Sequence, residues 1–298
     1  MKPFVIVTDS CGDMPKELRE RFDVEYVPMH YAVDGKDYFA SLDWEDLSFS
    51  DFYDLMRNGK RIITAQVKET TFVSAFEKWI NEGKDILYLA CSSALSASVG
   101  AAIRVKESLL AKYPDAKIEC VDSLNSCSGL ALLCIRASEL RSEGKTIEEI
   151  ANWVIENRKT VNQECTVDNL KYLRQAGRVS AASAFFGGLL SVKPIIISDV
   201  NGNNAAIEKV KGRKGSIDRI VERFKSRYRT LPYQKIFIVH ADCLDEALVL
   251  KERIYEVIPD KDVEFIVNYI GPTVGASVGP GTMGVYFFGE EVTFDSKA

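Results

Sequence analysis

Residues 85–102 read DILYLACSSALSASVGAA, and this stretch predicts the architecture of the chain. Residues 85–91 form an apolar run with the length of a buried strand. Small polar residues follow, and residues 96–112 have the composition and spacing of a helix. A strand, a polar turn and a helix in succession form the repeating unit of α/β folds that have parallel sheets.

The same unit recurs through the first half of the chain. Apolar runs predict strands at residues 4–10 and 116–123, and helical spacing predicts helices at 69–82 and 129–143. This alternation predicts an α/β domain over residues 1–160, with a mainly parallel sheet and helices on both of its faces.

Three local interpretations belong to this first half. Residues 24–33 read as one strand, and Asp34 with Gly35 as the turn of a hairpin. Residues 61–70, RIITAQVKET, read as a loop that places Thr64 before a helix. Capping of that helix is the alternative role for Thr64.

After about residue 160 the pattern changes to short strands mixed with helices. The turn signal NGNN at residues 201–204 predicts a hairpin, and GRKGS at 212–216 predicts a turn into a helix capped by Ser216. Residues 161–298 therefore predict a second, smaller domain of mixed α/β structure.

Composition is typical of a globular protein with a substantial core. The chain has 298 residues, of which 46% are hydrophobic and 27% charged, and its net charge is −5. Because Lys and Arg are scattered, we expect no nucleic-acid partner. No apolar run approaches the ~20 residues of a membrane helix, so we expect no stable membrane insertion. The first apolar run reaches Asp9 too early for a signal peptide, so we expect a cytoplasmic protein.

Few residues suited to metal binding or to common hydrolase chemistry are present. There are two histidines, His30 and His240, and seven cysteines without a repeated short spacing. A histidine zinc site or a Ser-His-Asp triad would have to use those two histidines. No Walker motif, dinucleotide fingerprint or nucleophile elbow occurs. We therefore expect no cofactor, no metal and no catalytic residue.

Small polar residues end three strands of the predicted parallel sheet. Ligands bind at the carboxyl ends of strands in such sheets, so these residues are candidates to line one edge. They are Asp9, Ser10, Ser92, Ser93, Asp122 and Ser123. Helix capping and turn hydrogen bonds are the alternative roles.

The start of the helix at residues 96–112 predicts an anion site. Ser96 and Ala97 lie where free backbone N–H groups and the positive end of the helix dipole are expected. The Ser96 hydroxyl can donate to a carboxylate or to a phosphate oxygen, and the residues leave both open. A plain helix cap is the alternative for Ser96.

Several short motifs, each weak alone, occur in one order along nearly the whole chain. They are TDS (8–10), Thr64 before a helix, SSALS (92–96), VDS (121–123), LKYLRQAGRVS (170–180), LLSVKPII (189–196) and IGPTVGASVGPGTMG (270–284). This ordered set resembles the DegV family. The resemblance implies two α/β domains that hold a long-chain fatty acid in the cleft between them. It also implies carriers that present the acyl carboxylate to a fatty acid kinase, which phosphorylates it.

The resemblance also implies roles for particular residues. The carboxylate-binding Thr and Ser of the family correspond to Thr64 and Ser96. A position commonly occupied by His in carriers is Ser277 here. The implied carboxylate site comprises Thr64, Ser96, Ala97 and Ser277. Further candidates to line the cleft are Ser93, Arg178, Phe185, Phe186, Gly275 and Ala276. Ordinary core packing is the alternative role for Phe185 and Phe186.

The glycine-rich segment at residues 270–284 has a role in this interpretation. We expect a bare loop that lets backbone approach the carboxylate and close the cleft, with a phosphate cradle as the alternative. A second hypothesis is an enzyme, a phosphotransferase or hydrolase that uses Asp9 or Asp122 on a small anionic substrate.

Overall fold

The computed structural model describes residues 2–180 and 192–297, and its strands and helices alternate as the sequence predicts. The strands are β1 Phe4–Asp9, β2 Val24–Val27, β3 His30–Val33, β4 Lys36–Phe39, β5 Ile63–Ala65, β6 Asp85–Ala90, β7 Ile118–Asp122, β8 Val161–Thr166, β9 Val179–Ser180, β10 Val192–Ser198, β11 Asn204–Lys211, β12 Lys235–His240, β13 Glu264–Tyr269 and β14 Met283–Phe288. The helices are α1 Lys16–Phe22, α2 Phe49–Arg57, α3 Glu69–Asn81, α4 Ser98–Lys112, α5 Cys127–Ser142, α6 Ile147–Asn157, α7 Leu170–Ala176, α8 Gly212–Arg227, α9 Leu244–Val257 and α10 Pro272–Val278.

A parallel sheet forms the centre of the first half of the chain. Its strand order is β2-β1-β6-β7, and each neighbouring pair is parallel. Every residue of β1 and β6 is buried, as expected for central strands covered on both faces. The carboxyl ends of β1, β6 and β7 therefore meet at one edge, where their polar residues follow.

Two further sheets complete the structure. A small antiparallel sheet has the order β4-β3-β5, and a seven-stranded mixed sheet has the order β13-β12-β14-β8-β10-β11-β9. All strands of the mixed sheet follow residue 160, and those of the other two sheets precede it. These sheets confirm the α/β fold class, with a mainly parallel first part and a mixed second part. The domain boundary at residue 160 stays a prediction.

Helix α5 packs between the parallel sheet and the mixed sheet. It contacts β1 and β6 on one side and β8 and β14 on the other. Twelve of its residues are buried, including Cys127 and Cys134, so it is buried on most sides rather than on one face. One hydrophobic core consequently runs from the parallel sheet through α5 to the mixed sheet.

Three local predictions are wrong. Residues 24–33 form two strands in different sheets rather than one, because Pro28 lacks the N–H that a continuous ladder needs. Residues 61–70 contain strand β5, which is too short to show a period in sequence. Ser216 does not cap α8, which begins at Gly212; its hydroxyl donates to the Arg213 carbonyl inside the helix.

The glycine-rich segment also differs from its prediction as a loop. Residues 272–278 form helix α10, which begins with Pro272 in its first turn. Proline suits that position because its missing N–H would have no partner within the helix. The hairpin predicted at NGNN is confirmed, since β10 and β11 pair antiparallel with Ser198 opposite Asn204.

Candidate functional site: a cavity between the sheets

A cavity of about 200 Å³ lies where the parallel-sheet edge, the small sheet and α10 meet. Its described lining comes from both halves of the chain. The lining residues are Cys11, Met29, Thr64, Ala65, Gln66, Cys91, Leu95, Ser96, Ala97, Ser126, Arg178, Val179, Asn204, Thr273, Val274, Ser277 and Val278. The structure thus brings Thr64, Ser96, Ala97, Arg178 and Ser277 to one cavity, and their roles toward a ligand stay a prediction.

Strand β5 positions Thr64. Its partner across the small sheet is Tyr31, which is buried, so both side chains lie on the inner face of that sheet. The neighbouring Ile63 is 56% exposed on the outer face. Thr64 does not cap α3, because the residue at the cap position is Lys68. Its hydroxyl is therefore not used by a helix end.

The turn after β6 positions Ser96. The Ser96 N–H donates to the Ser92 carbonyl, which closes the turn. Helix α4 begins at Ser98, two residues later than predicted, with Ala97 at its cap position. The Ser96 hydroxyl oxygen accepts the Ser98 N–H at 3.2 Å and lies 3.0 Å from the Ser98 hydroxyl.

Helix α10 lines one side of the cavity. Thr273, Val274, Ser277 and Val278 line the cavity from this helix. Gly275 instead faces α2, where an added Cβ would lie 2.4 Å from the Tyr53 hydroxyl. The glycine therefore permits close packing of α10 against α2, and the approach of this segment's backbone to a carboxylate stays a prediction.

The remaining candidates, Ala276, Ser93, Phe185 and Phe186, do not belong to the described lining of the cavity. Ala276 lines a neighbouring outer cavity of about 180 Å³, whose lining also includes Thr64, Arg178 and Ser277. Ser93 is exposed and donates its N–H to the Asp122 carboxylate at 3.1 Å, outside the described lining. Phe185 and Phe186 lie outside the residues that the structure describes.

The carboxyl groups of the enzyme hypothesis are engaged elsewhere. Asp9 is buried, and its carboxylate accepts hydrogen bonds from the Tyr88 hydroxyl and the Cys91 and Cys11 N–H groups. Burial raises the pKa of Asp9 despite these hydrogen bonds. Asp122 accepts from the Ser93 and Leu124 N–H groups. Neither belongs to the described lining of the cavity, and both make the turn bonds that were the alternative prediction.

The cavity has a polar end and an apolar end. Thr64, Arg178 and Ser277 are shared with the outer cavity, which also contacts exposed Arg61 and Gln175. On the other side, a small, mostly apolar extension of about 30 Å³ shares five residues with the main cavity, namely Ser126, Val179, Asn204, Val274 and Val278. Further apolar residues of this extension are Val167, Ile196 and Ile270.

Arg178 is the charged residue of the described lining. Its guanidinium donates to the Ala176 carbonyl at 2.9 Å and to the Leu95 carbonyl at 3.5 Å. Both histidines lie outside this lining, and burial lowers the pKa of each. The cavity therefore offers one cation and several neutral hydroxyls, a set that suits one anionic group.

Sequence reasoning missed some polar lining residues. The sequence indicates only a hairpin turn at Asn204, yet this residue begins β11 beside the cavity, where its side chain accepts a hydrogen bond from Gln163 at 3.1 Å. Thr273 has a buried hydroxyl without a hydrogen-bond partner in the described part of the chain. Its position in the first turn of a helix was hidden because the segment was read as a loop.

Within residues 2–180 and 192–297, no group of three or more His, Cys, Asp and Glu side chains has an arrangement that could hold a metal ion. Every helix in the same ranges is too short or too polar to traverse a bilayer.

Comparisons with known proteins agree over almost the full length of the chain. The model of the family described as "Uncharacterised protein, DegV family" matches residues 3–290. A DegV domain-containing protein of Clostridium perfringens is 39% identical over 290 residues, which are 97% of this chain and 99% of that protein.

Solved structures give the same result. A DegV lipid-binding protein from Thermotoga maritima has a TM-score of 0.85 and 25% identity, covering 98% of this chain and 100% of that one. DegV of Bacillus subtilis, described as a fatty acid binding protein, has a TM-score of 0.83 and 27% identity, covering 97% of this chain and 100% of that one. The chain belongs to the DegV family.

Proposed function

We propose that this protein binds a long-chain fatty acid. The hydroxyls of Thr64, Ser96 and Ser277, with backbone near Ala97, would hold the carboxylate, and the acyl chain would be buried between the two halves of the chain. The observation that carries the proposal is that Thr64, Ser96 and Ser277, which lie on separate elements, line one cavity that has a mostly apolar extension. Two structural relatives described as lipid or fatty acid binding proteins support it.

The energetics of such a ligand suit neutral hydroxyl donors. Each buried CH₂ group contributes about 0.8 kcal/mol, so a 16-carbon chain offers roughly 11 kcal/mol before ordering costs. Hydrogen bonds to a charged group add about 1.5–3 kcal/mol each. The carboxylate therefore needs orientation by donors rather than a dedicated salt bridge.

Binding rather than catalysis is the function that these residues favour. A carboxylate ligand requires donors, and hydroxyl groups with Arg178 are what the polar end supplies. The two carboxyl groups of the enzyme hypothesis, Asp9 and Asp122, are hydrogen-bonded to the protein. Within residues 2–180 and 192–297, no specific contact favours a second function.

Analysis of bound lipid tests the proposal. Protein purified from cells should release fatty acid on solvent extraction, and delipidated protein should rebind one palmitate per chain. Absence of both extracted fatty acid and palmitate rebinding would contradict the proposal. A co-purifying nucleotide or metal would favour the enzyme hypothesis instead.

We also propose that the bound acid is presented to a fatty acid kinase. The polar end of the cavity adjoins the outer cavity, which is bordered by exposed Arg61, Gln175 and Arg178, so a partner could reach the carboxylate there. The carboxylate would attack the γ-phosphate of ATP, giving an acyl phosphate and ADP.

Hydroxylamine should trap this acyl phosphate as an acyl hydroxamate when loaded protein, ATP and a fatty acid kinase are mixed. Binding of palmitate without hydroxamate formation would contradict the proposed presentation to a kinase but not fatty acid binding.

A further inference from the structure

Ser98 connects two of the hydroxyl-bearing segments through a single oxygen atom. It is fully buried at the first residue of α4 and lies outside the described lining of the cavity. Its hydroxyl oxygen accepts the Val67 N–H at 3.2 Å and lies 3.0 Å from the Ser96 hydroxyl oxygen. Val67 follows the segment that carries Thr64, so the oxygen joins the Thr64 segment to the Ser96 turn.

The direction of the hydrogen bond between the two serines follows from their surroundings. The Ser98 oxygen already accepts the Val67 N–H, and Ser96 is the acceptor available to its hydrogen in the described part of the chain. If Ser96 donated instead, the buried Ser98 hydrogen would have no partner, which costs about 1–3 kcal/mol. Ser98 therefore donates to Ser96.

The direction of the Ser98–Ser96 hydrogen bond determines which hydrogen-bonding role remains for the Ser96 hydroxyl. The Ser96 oxygen accepts from both the Ser98 hydroxyl and the Ser98 N–H, at 3.0 and 3.2 Å. A hydroxyl group has two lone pairs and one hydrogen, so both acceptor positions are occupied. The hydrogen of Ser96 is left for a group in the cavity that can only accept.

We propose that Ser98 is a positioning residue that makes Ser96 an obligate donor and thereby selects an anionic carboxylate over a neutral alcohol head group. This inference rests on the proposed fatty acid binding. A carboxylate accepts hydrogen bonds and offers none, so it matches Ser96 in this state. An alcohol gains less, because its own hydrogen finds no acceptor on Ser96.

The test compares palmitate with 1-hexadecanol on delipidated full-length protein, by equilibrium titration of each variant. In Ser98→Ala, the Ser96 hydroxyl is free to turn and to accept. Palmitate affinity should fall about tenfold while hexadecanol affinity changes by less than about twofold. Ser98→Thr keeps the hydroxyl group and should therefore retain the wild-type preference for the acid. Ser98→Cys keeps the volume with a weakly bonding sulfur, and gives the same readout as Ser98→Ala if the alanine variant does not fold.

A matched control separates positioning from general loss of stability. Ser138 is also a buried serine on a helix, and its hydroxyl donates to the Phe22 carbonyl away from the cavity. Ser138→Ala should lower the unfolding temperature without changing the ratio of acid to alcohol affinity.

The outcomes distinguish this inference from the function on which it rests. If wild-type protein binds neither ligand, the proposed function fails. If wild-type protein binds palmitate and Ser98→Ala keeps the wild-type acid-to-alcohol ratio, the inference about Ser98 is overturned. Equal loss of both affinities in Ser98→Ala would also overturn it, because the role would then be structural.

Discussion

The hydroxyl of Tyr53 donates a 2.7 Å hydrogen bond to the carbonyl of Ile270, which lies just before α10. Both groups are buried, and the bond joins residues 217 positions apart in the chain. Gly275 then packs directly against the same phenol ring. Tyr53 thus holds the helix that carries Ser277, so the position of this hydroxyl depends on packing well away from the cavity.

Gly275→Ala should therefore affect both stability and ligand binding. The added methyl would lie 2.4 Å from the Tyr53 hydroxyl, so α10 or the ring must shift. We expect a loss of about 1–3 kcal/mol in the free energy of unfolding, with weaker palmitate binding. Chemical denaturation and palmitate titration measure the two effects.

Gly100→Ala is the matched control, because Gly100 also lies in a helix. Among the residues that the structure describes, its added methyl would meet the Arg104 guanidinium alone, at 3.7 Å. This variant should gain about 0.5–1 kcal/mol from helix propensity and bind palmitate as wild type does. Wild-type behaviour of Gly275→Ala in both assays would show that α10 is not held in this way.

Thr64→Val and Ser96→Ala should each weaken palmitate binding by about 1–3 kcal/mol, because a carboxylate loses a donor. Thr166→Val is a suitable control, since the Thr166 hydroxyl is buried and has no partner in the described part of the chain. Removing it should leave palmitate affinity unchanged. Isothermal titration measures all three variants, and unchanged affinity in both Thr64→Val and Ser96→Ala would place the carboxylate elsewhere.

Stability should depend on the ionisation of Asp13. Burial raises its pKa from 3.8 to about 8, an effect that the nearby Cys127 thiol and Gly271 N–H only partly offset. The native state therefore holds a proton that the unfolded chain releases at lower pH. The contribution to stability is fully present below pH 3.8 and is lost as the pH rises through about 8.

Glu164 adds a decrease in the same direction, because burial raises its pKa from 4.5 to about 7 despite Arg223. The two histidines have the opposite effect on stability below pH 6.5, their ordinary pKa. Burial lowers the pKa of each, so their contribution to stability increases as the pH rises in that range. The variant Asp13→Asn separates the contribution of the Asp13 carboxyl from those of the other groups. Asparagine tolerates the positive φ of 44° at this position. Between about pH 5 and 8, wild-type protein should lose stability relative to Asp13→Asn in denaturant titrations. Parallel pH profiles would show that Asp13 is ionised in the native state.

Palmitate binding by the wild type should vary little with pH. The hydroxyls of Thr64, Ser96 and Ser277 do not titrate between about pH 5.5 and 8, and both histidines lie outside the described lining. Ser277→His should introduce tighter binding at lower pH, because an imidazolium would face the carboxylate. Fluorescence titrations corrected for ionisation of the acid measure this. A wild-type affinity that changes about tenfold across this window would point to a titrating group at the head-group site.

Much of the fold was predictable because its signals are local. The apolar runs of β1 and β6 mark strands buried on both faces, and the polar residues after them mark the carboxyl edge of the sheet. The candidates Thr64 and Ser96 depended on family resemblance as well as on local chemistry. Without that resemblance, the residues around Thr64 favour helix capping, which the structure does not show.

Other features depended on contacts distant in sequence. Strand β5 has three residues and is defined by its pairing with β3, which no local pattern indicates. Glycine and proline in residues 270–284 suggested a loop, but Pro272 begins a helix and Gly275 serves the contact with Tyr53. Asn204 lines the cavity because the mixed sheet brings β11 to it.

The central claim is that hydroxyls at one end of the cavity hold the carboxylate of a fatty acid. Its most direct test is titration of palmitate into delipidated wild-type protein and into the triple variant Thr64→Val, Ser96→Ala, Ser277→Ala. The account predicts one palmitate per wild-type chain and an affinity at least about 100-fold weaker in the triple variant, which loses several charged hydrogen bonds. Equal palmitate affinity in the two proteins, or no binding to the wild type, would contradict it.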